Sequence, residues 1–287
     1  GNANQGISIA EESNPTIRQC RIYDGKGQGI GISFKSQGTI ENCDIYGNAN
    51  QGIDISEESN PTISQCRIYE GKSAGICMSN SSGIIENCDI YGNADAGIGI
   101  VKESNPSIGQ CSIYESKSFG IGITDKSQGI IENCDIYANA DAGIGIIKES
   151  NPTISQCRIY EGKSVGILLG SKSQGIIKNC DIYGNADAGI GIAEESNPTI
   201  SQCRIYEGKR EGVGIGDKSQ GIIENCDIYA NASVGIGIAK ESNPTIGQCR
   251  IYEGKSIGIS IVSKSQGIIE NCDIYANASV GIGITEE

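Results

Sequence analysis

Thirteen cysteines, twelve tyrosines and 35 Asp/Glu side chains are the groups in this 287-residue chain that could do chemistry; histidine is absent. Without histidine the commonest general base and proton shuttle is missing. Ser-His-Asp and Cys-His nucleophilic sites and His-based zinc sites are therefore excluded. What remains is carboxylate acid–base chemistry, thiol chemistry, and phenol rings able to stack on a ligand or hydrogen-bond to it. The formal charge of 22 − 35 = −13 argues against phosphate backbones and anionic lipid, so neither a nucleic acid nor a membrane is an expected partner. No apolar run approaches the roughly 20 residues of a membrane span. The chain opens Gly1-Asn2-Ala3 without Met, and no leader is recognisable.

The spacing of these groups says more than their number. Twelve cysteines, from Cys20 and Cys43 to Cys272, follow one another at 23 residues, with a single step of 22 between Cys66 and Cys88. Every tyrosine lies three residues after one of them, from Tyr23 to Tyr275. The six prolines, from Pro15 to Pro244, recur only in alternate units, which makes the larger repeat 46 residues. A fixed period of this length is the mark of a solenoid. Within each unit the apolar residues alternate in short bursts: G-I-x-I (Ile30, Ile32), x-T-I or G-I-I (Ile17, Ile131) and C-x-I-Y (Cys20, Ile22). Ser-Asn-Pro, Gln/Asn-Cys and Gly/Asn clusters bound them, so each burst reads as a strand and each cluster as a turn. Three strands and three turns per 23 residues describe one rung of a parallel β-helix. Such rungs stack about 4.8 Å apart and bury their inward residues only by stacking.

The pattern I-x-N-C-x-I-Y-x-N, as at Ile131 to Asn139, resembles the I-x-N-N-x-I-x-x-N coil of the right-handed parallel β-helix repeat family. That family includes pectate-lyase-like proteins, with carbohydrate-binding and sugar-hydrolysis repeats, a periplasmic nitrous-oxide-reductase accessory protein and a eukaryotic F-box adaptor. The resemblance spans the whole chain and implies an all-β fold: a single-stranded right-handed parallel β-helix of about 12 rungs in six 46-residue repeats. Residues 1–287 then form one continuous β-helix domain, read as a fragment of a longer chain. Handedness is implied by the resemblance and the coil length. Cysteine stands here where the family has its second Asn.

Residues one rung apart stack, so each column is a ladder. The inward columns are Ile30-, Ile32-, Ile17-, Cys20- and Ile22-like, small or β-branched as a narrow repeated core requires. Buried thiols acting as apolar filler is the favoured reading of the cysteine ladder, with inter-rung disulfides and metal binding as alternatives. Cys77, alone in its column, reads as an exposed reactive thiol. The Gln19/Asn42 column reads as a stack of amides satisfying turn backbone groups. The Arg21/Asp44 and Glu12/Lys35 columns alternate in sign from rung to rung, the second ending at Glu287. Opposite charges on neighbouring rungs favour register, and this accounts for a repeat of 46 rather than 23.

Two outward features form the candidate interaction surface. The Gly pairs flanking the first-strand isoleucines, including Gly97 and Gly99, Gly120 and Gly122, and Gly143 and Gly145, read as a bare flat face able to meet a second sheet or a flat polymer. The tyrosine ladder, including Tyr114, Tyr137, Tyr160 and Tyr183, reads as a stack that covers a turn or as a platform for sugar or protein.

Pectate-lyase-like relatives carry catalytic acids, Arg or Lys beside the first strand's outer face, and that expectation is the resemblance's. Here the departures from repeat symmetry are Asp54, Cys77, Ser112, Leu168, Lys178 and the Arg210-Glu211 pair, with no paired acid and base. The leading expectation is a non-catalytic spacer or interaction scaffold, partnered by protein or by itself through the Gly face or the open ends. A carbohydrate-binding or polysaccharide-degrading β-helix is the alternative, and a head-to-tail fibre subunit a weaker one. No cofactor, metal or catalytic residue is expected, although Asn93-Ala94-Asp95 and its equivalents have the composition of a Ca²⁺ turn. Free thiols favour a cytoplasmic compartment, while the resemblance allows an extracellular one.

Overall fold

The computed structural model describes residues 2–216, 218–262 and 264–285. Each coil lays down three strands of three or four residues, and every strand pairs in parallel with its equivalents in neighbouring coils. Contacts divide the chain into two compact units, Gly1–Asp141 and Ala142–Glu287. In the first unit the first strands run Ile7–Ile9, Ile30–Ile32, Ile53–Ser56, Ile76–Ser79, Ile98–Val101 and Ile121–Ile123, and they stack in that order. The second unit repeats the arrangement from Ile144–Ile146 to Ile282–Thr285. The second and third strands of each coil build two further sheets in the same way. The result is a β-solenoid of about 12 turns without a helix among the described residues. Glu287, the expected end of the Glu/Lys column, lies outside those residues.

Register is strict: Ile30 faces Ile53 and Gly31 faces Asp54. It survives the 22-residue coil, where Ile76 still faces Ile98. The missing residue comes from the turn after the first strand. Most other coils place two residues there in the left-handed region, as at Phe34 and Lys35 or Glu57 and Glu58, whereas this coil has Asn80 alone. The deletion removes a Lys between Glu58 and Glu103 and leaves a dimple of about 300 Å³ lined by both.

The five inward columns are buried as expected, with Ile30, Ile40 and Ile45 at 0% exposure. Burying a full Ile side chain is worth about 1.5–3 kcal/mol, and no coil can do so alone. The cysteines fill the corner between the second and third strands. None of the 13 forms a disulfide, and ten are buried. Cys66 shows the pattern: its Sγ–H points at Ser64 O in its own coil (3.2 Å) and at Ile40 O in the coil before (3.6 Å). Burial pushes the Cys43 thiol above its ordinary value, which keeps that thiol neutral.

A 46-residue repeat has a steric cause as well as an electrostatic one. After the third strand, buried Asn alternates with a small residue, mostly Gly. Asn48 Oδ1 accepts from Gly25 N (3.0 Å), and its Nδ2 donates to Ile22 O (3.3 Å). A Cβ on Gly25 would lie 3.0 Å from that same Oδ1, so the Asn of one coil needs a small residue in the coil before. Before the second strand, Pro alternates with Gly. Gly38 adopts φ +132°, and a Cβ there would lie 2.9 Å from Pro15 O. Two alternations, large over small, therefore make the two-coil unit the smallest that can repeat.

The electrostatic cause takes a more specific form than an evenly alternating column. Asp44 receives both Nε and Nη2 of Arg67 at 2.7 Å, and Lys35 in the coil of Asp44 pairs with Glu58 in the coil of Arg67 at 3.7 Å. Arg204–Asp181 with Lys172–Glu195, and Arg250–Asp227 with Lys218–Glu241, repeat this double clamp in the second unit. Each clamp joins one half-repeat to the next.

The amide expectation is corrected. Gln19 and Asn42 are exposed and left-handed, each at φ +52°, and they make the tight bend between the second and third strands. Their backbone N–H groups go to carbonyls of the following coil, Glu41 O (3.1 Å) and Ser64 O (3.0 Å). The buried amide ladder is the Asn48 column, and a buried serine ladder accompanies it: Ser36 N donates to Ser59 Oγ (3.2 Å), and Ser81 N to Ser104 Oγ (3.2 Å).

Candidate functional site

The two Gly columns of the first strand do different things. The second of each pair, as at Gly99 and Gly122, does face outward and is half-exposed. The first does not: Gly97, Gly120 and Gly143 are buried. At Gly97 a Cβ would lie 2.6 Å from Ile113 Cγ2 and 2.8 Å from Gly120 O. The chain enters each first strand so close to the next coil that only hydrogen fits. This corrects the expectation that both columns are outward, and the close approach is the whole reason for glycine, because these residues are not left-handed.

The outward column is not uniformly bare either. The residue before each buried Gly leans across it: Val165 Cγ1 would lie 3.7 Å from a Cβ on Gly191, Glu211 Cγ 3.8 Å from one on Gly237, and Phe119 Cδ2 3.5 Å from one on Gly122. Gly145 is buried. Where the leaning residue is alanine the backbone lies open. Gly214, one coil after Ala188, would have nothing within 4 Å of a Cβ, and Gly99, one coil after Ala74, only Ile76 O at 4.0 Å.

In the second unit this opening becomes a groove of about 640 Å³. Gly191, Gly214 and Gly237 form its floor, Leu168 and Ser260 stand at its ends, and Arg210, Glu211 and Val234 line its wall. Its volume falls in the range of small-molecule sites. Arg210 reaches Asp187 at 3.3 Å and Glu211 at 3.9 Å, so its charge is shared between two carboxylates. Three of the sequence's departures from symmetry, Leu168, Arg210 and Glu211, thus converge here. Asp54 and Cys77 converge in the first unit, facing each other in register. Ser112 and Lys178 stand apart, on the third and second sheets.

Burial raises the Asp54 carboxyl, opposed by a hydrogen bond from Gln28. Burial, with Asp54 and Asp95 nearby, pushes Cys77 up to about 11. Cys77 is half-buried and protonated at neutral pH, which corrects the expectation of an exposed, reactive thiol.

The tyrosines stack face to face. Tyr114 lies 4.9 Å from Tyr91 and 4.7 Å from Tyr137, and Tyr183 lies 5.0 Å from both Tyr160 and Tyr206, with interplanar angles of 10° or less. Each ring face is thus taken up by a neighbouring ring, and edges and hydroxyls point outward. That is a poor stacking platform for a sugar. Burial pushes Tyr114 up to about 12, so the phenols are neutral. In the Asn-Ala-Asp turns, Asn93, Asn139 and Asn185 are spent on the buried backbone brackets, which leaves those turns short of Ca²⁺ ligands. Among the described residues no group of three or more Cys, Asp or Glu could hold a metal ion.

The family model described as the right handed beta helix region matches residues 1–107, 58–190, 97–222 and 147–287. Among solved structures the chain is similar to the Azotobacter vinelandii mannuronan C-5 epimerase AlgE6 A-module, at 13% identity over 97% of this chain and 90% of that one, with a TM-score of 0.64. It is also similar to the periplasmic alginate epimerase AlgG, at 14% identity over 97% and 78%, TM-score 0.67, and to the Agl-KA catalytic domain, at 14% over 99% and 61%, TM-score 0.53. At such identities the likeness is one of fold. No curated protein sequence matches the chain at a significant level.

Proposed function

The chain belongs to the right-handed β-helix family, and from that premise we propose that it binds a linear polysaccharide on the outer face of its first sheet. The observation that carries this reading is the groove floored by Gly191, Gly214 and Gly237: a bare backbone strip lets a flat chain approach closely, and Arg210 and Glu211 offer donors and acceptors at its side. Two proteins of similar fold, the AlgE6 A-module and AlgG, are a mannuronan C-5 epimerase and an alginate epimerase, which agrees with a carbohydrate ligand.

The reading is one of binding, not turnover. Lyase, epimerase and hydrolase chemistry each needs an acid and a base on opposite sides of a sugar bond or carbon. Among the described residues Arg210 and Glu211 are the only titratable side chains lining the groove, and they share one wall. Glycan-array screening of the purified chain, followed by calorimetry on the strongest ligand, tests the proposal. Gly214→Trp, which fills the floor, is expected to abolish binding at the groove, and Arg210→Ala to weaken it. Absence of binding to every glycan would refute it.

One observation favours the scaffold reading as second. Ile84, Ile130, Ile176, Ile222 and Ile268 stand exposed on second strands at intervals of 46 residues. Such a series suits a protein partner with a matching repeat.

A further inference from the structure

In the first unit, three departures from the repeat meet at one place on the first sheet's outer face, and they are of a different kind from those of the groove. The residue leaning across the sheet is Gln5, Gln28 and Gln51 in the first three coils, where the next coils have Ala74 and Ala96. The central outward position is Asp54 where most coils have Gly. The turn position occupied by Glu11, Glu57, Asn80 and Lys102 in neighbouring coils is Phe34, which is 57% exposed.

These side chains make a shelf. The Gln5 amide lies directly on Gly31: a Cβ there would be 2.2 Å from Gln5 Oε1. Asp54 follows Gly31 in register and takes the hydrogen bond from Gln28. Gln5, Gln28, Gly31, Phe34 and Asp54, with Ser56 and Glu57 at the edge, enclose a concavity of about 240 Å³. No cation lines it.

We infer that this shelf is a subsite for a neutral sugar ring. A pyranose presents adjacent hydroxyls at its rim and C–H groups on its face. A carboxylate accepts from two hydroxyls at once, flanking amides both donate and accept, and an exposed phenyl ring covers the apolar face. Phe34, unlike the tyrosines, has no aromatic neighbour consuming its faces in the ring contacts of the first unit. The shelf's only charges are the carboxylates Asp54 and Glu57, in a chain of net charge −13, so a uronate would meet repulsion with nothing to offset it. The shelf therefore selects against the polyuronates named for the epimerases of similar fold. This inference rests on the polysaccharide-binding reading and adds to it a second site and a ligand class.

The experiment is calorimetric titration of the full chain with neutral β-1,4-linked hexasaccharides, with oligomannuronate and with chitosan hexamer. The proteins compared are wild type, Phe34→Ala, Asp54→Asn and Gly214→Trp, each first shown by circular dichroism to keep the wild-type spectrum. Phe34 is exposed, so its loss leaves the core intact. A neutral hexasaccharide is expected to bind wild type, to lose tenfold or more in affinity with Phe34→Ala and with Asp54→Asn, and oligomannuronate is expected not to bind. If neutral sugar binds and only Gly214→Trp weakens it, the shelf is overturned while the polysaccharide reading stands. If oligomannuronate or chitosan binds in place of neutral sugar, the ligand class is overturned. If nothing binds, both fall.

Discussion

Two glycines two residues apart give a sharp test of how this solenoid is held together. Gly212 enters a first strand and Gly214 sits at its centre, and alanine at each adds the same single carbon. At Gly212 the new Cβ would lie 2.6 Å from Gly235 O, 2.6 Å from Ile228 Cγ2 and 2.8 Å from Asn231 Nδ2. Two of those partners are committed, since Gly235 O accepts from Val213 N (2.9 Å) and Asn231 Nδ2 donates to Ile205 O (3.2 Å). Relief of the overlap therefore strains the core, at about 1–3 kcal/mol, and breaks at least one buried hydrogen bond, at about 1–3 kcal/mol. At Gly214 nothing lies within 4 Å, and the methyl only restricts the unfolded chain, a gain of about 0.4–1 kcal/mol. The gain from restricting the unfolded chain is common to both variants, so the expected gap is roughly 2–6 kcal/mol. Urea denaturation followed by circular dichroism measures it, with hydrogen exchange at Val213 and Ile236 to detect local opening of the affected coils. Equal stability of the two variants would refute the assignment of the first Gly column to steric necessity.

The thiol ladder predicts that a thiol-reactive dye labels at most Cys20, Cys77 and Cys272 in the native protein, with Cys77 slow below pH 9, and all 13 in denaturant; fast native labelling of the other ten would contradict it. Asn185→Ala leaves Gly162 N and Ile159 O without their buried partner and is expected to cost about 2–5 kcal/mol by urea titration. Tyr114 should ionise late. Burial lifts it to about 12 against about 10 in an unfolded chain, so the native state holds its proton longer and stability falls as pH rises from 10 through 12. The difference in 295 nm absorbance between wild type and Tyr114→Phe should therefore rise together with unfolding, and a Tyr114 tyrosinate formed near pH 10 in a folded chain would exclude the argument. Ala188→Val, copying Val165, should lay a methyl over Gly214, close the groove and reduce glycan affinity without loss of thermal stability; unchanged affinity would show that the open floor is not the binding surface.

The fold was legible because in a solenoid each residue's neighbours are its own copies. The 23-residue spacing of Cys20 to Cys272 already states who stacks on whom, and alternation within I-x-N-C-x-I-Y states which side is in. What was not legible is whatever depends on the depth of a turn. Gly97 and Gly99 look equivalent by alternation, but the coil tightens as it enters the first strand, so parity there no longer reports direction. Asn42 and Asn48 are both turn amides in sequence. Only the geometry shows that the first is spent on a left-handed bend and the second on a buried bracket. The site was half legible. Leu168, Arg210 and Glu211 were visible as departures, but their meeting depends on a side chain leaning into the next coil, an offset of 26 residues that the 23-residue alignment hides. Phe34 was overlooked, although one aromatic in a column of charged turn residues was signal enough.

A chain built by copying one motif has little freedom to evolve a site inside its ladders. A change in any inward column is felt by the coils above and below, because each side chain serves as floor for the next and ceiling for the last. The alternating Asn/Gly and Pro/Gly columns tighten that constraint, since a large residue in one coil presupposes a small one in its neighbour. The outward centre of the first strand escapes it. Gly there meets other side chains of the outer face, as Gly31 meets Gln5 and Gly191 meets Val165, and the leaning residue one coil away can be Ala, Gln, Val or Glu without altering the core. Asp54, Leu168, Gln5 and Glu211 all lie in these two columns. The proposed ligand recognition therefore falls on the first sheet for a physical reason: it is the surface on which the repeat can be broken without breaking the stack.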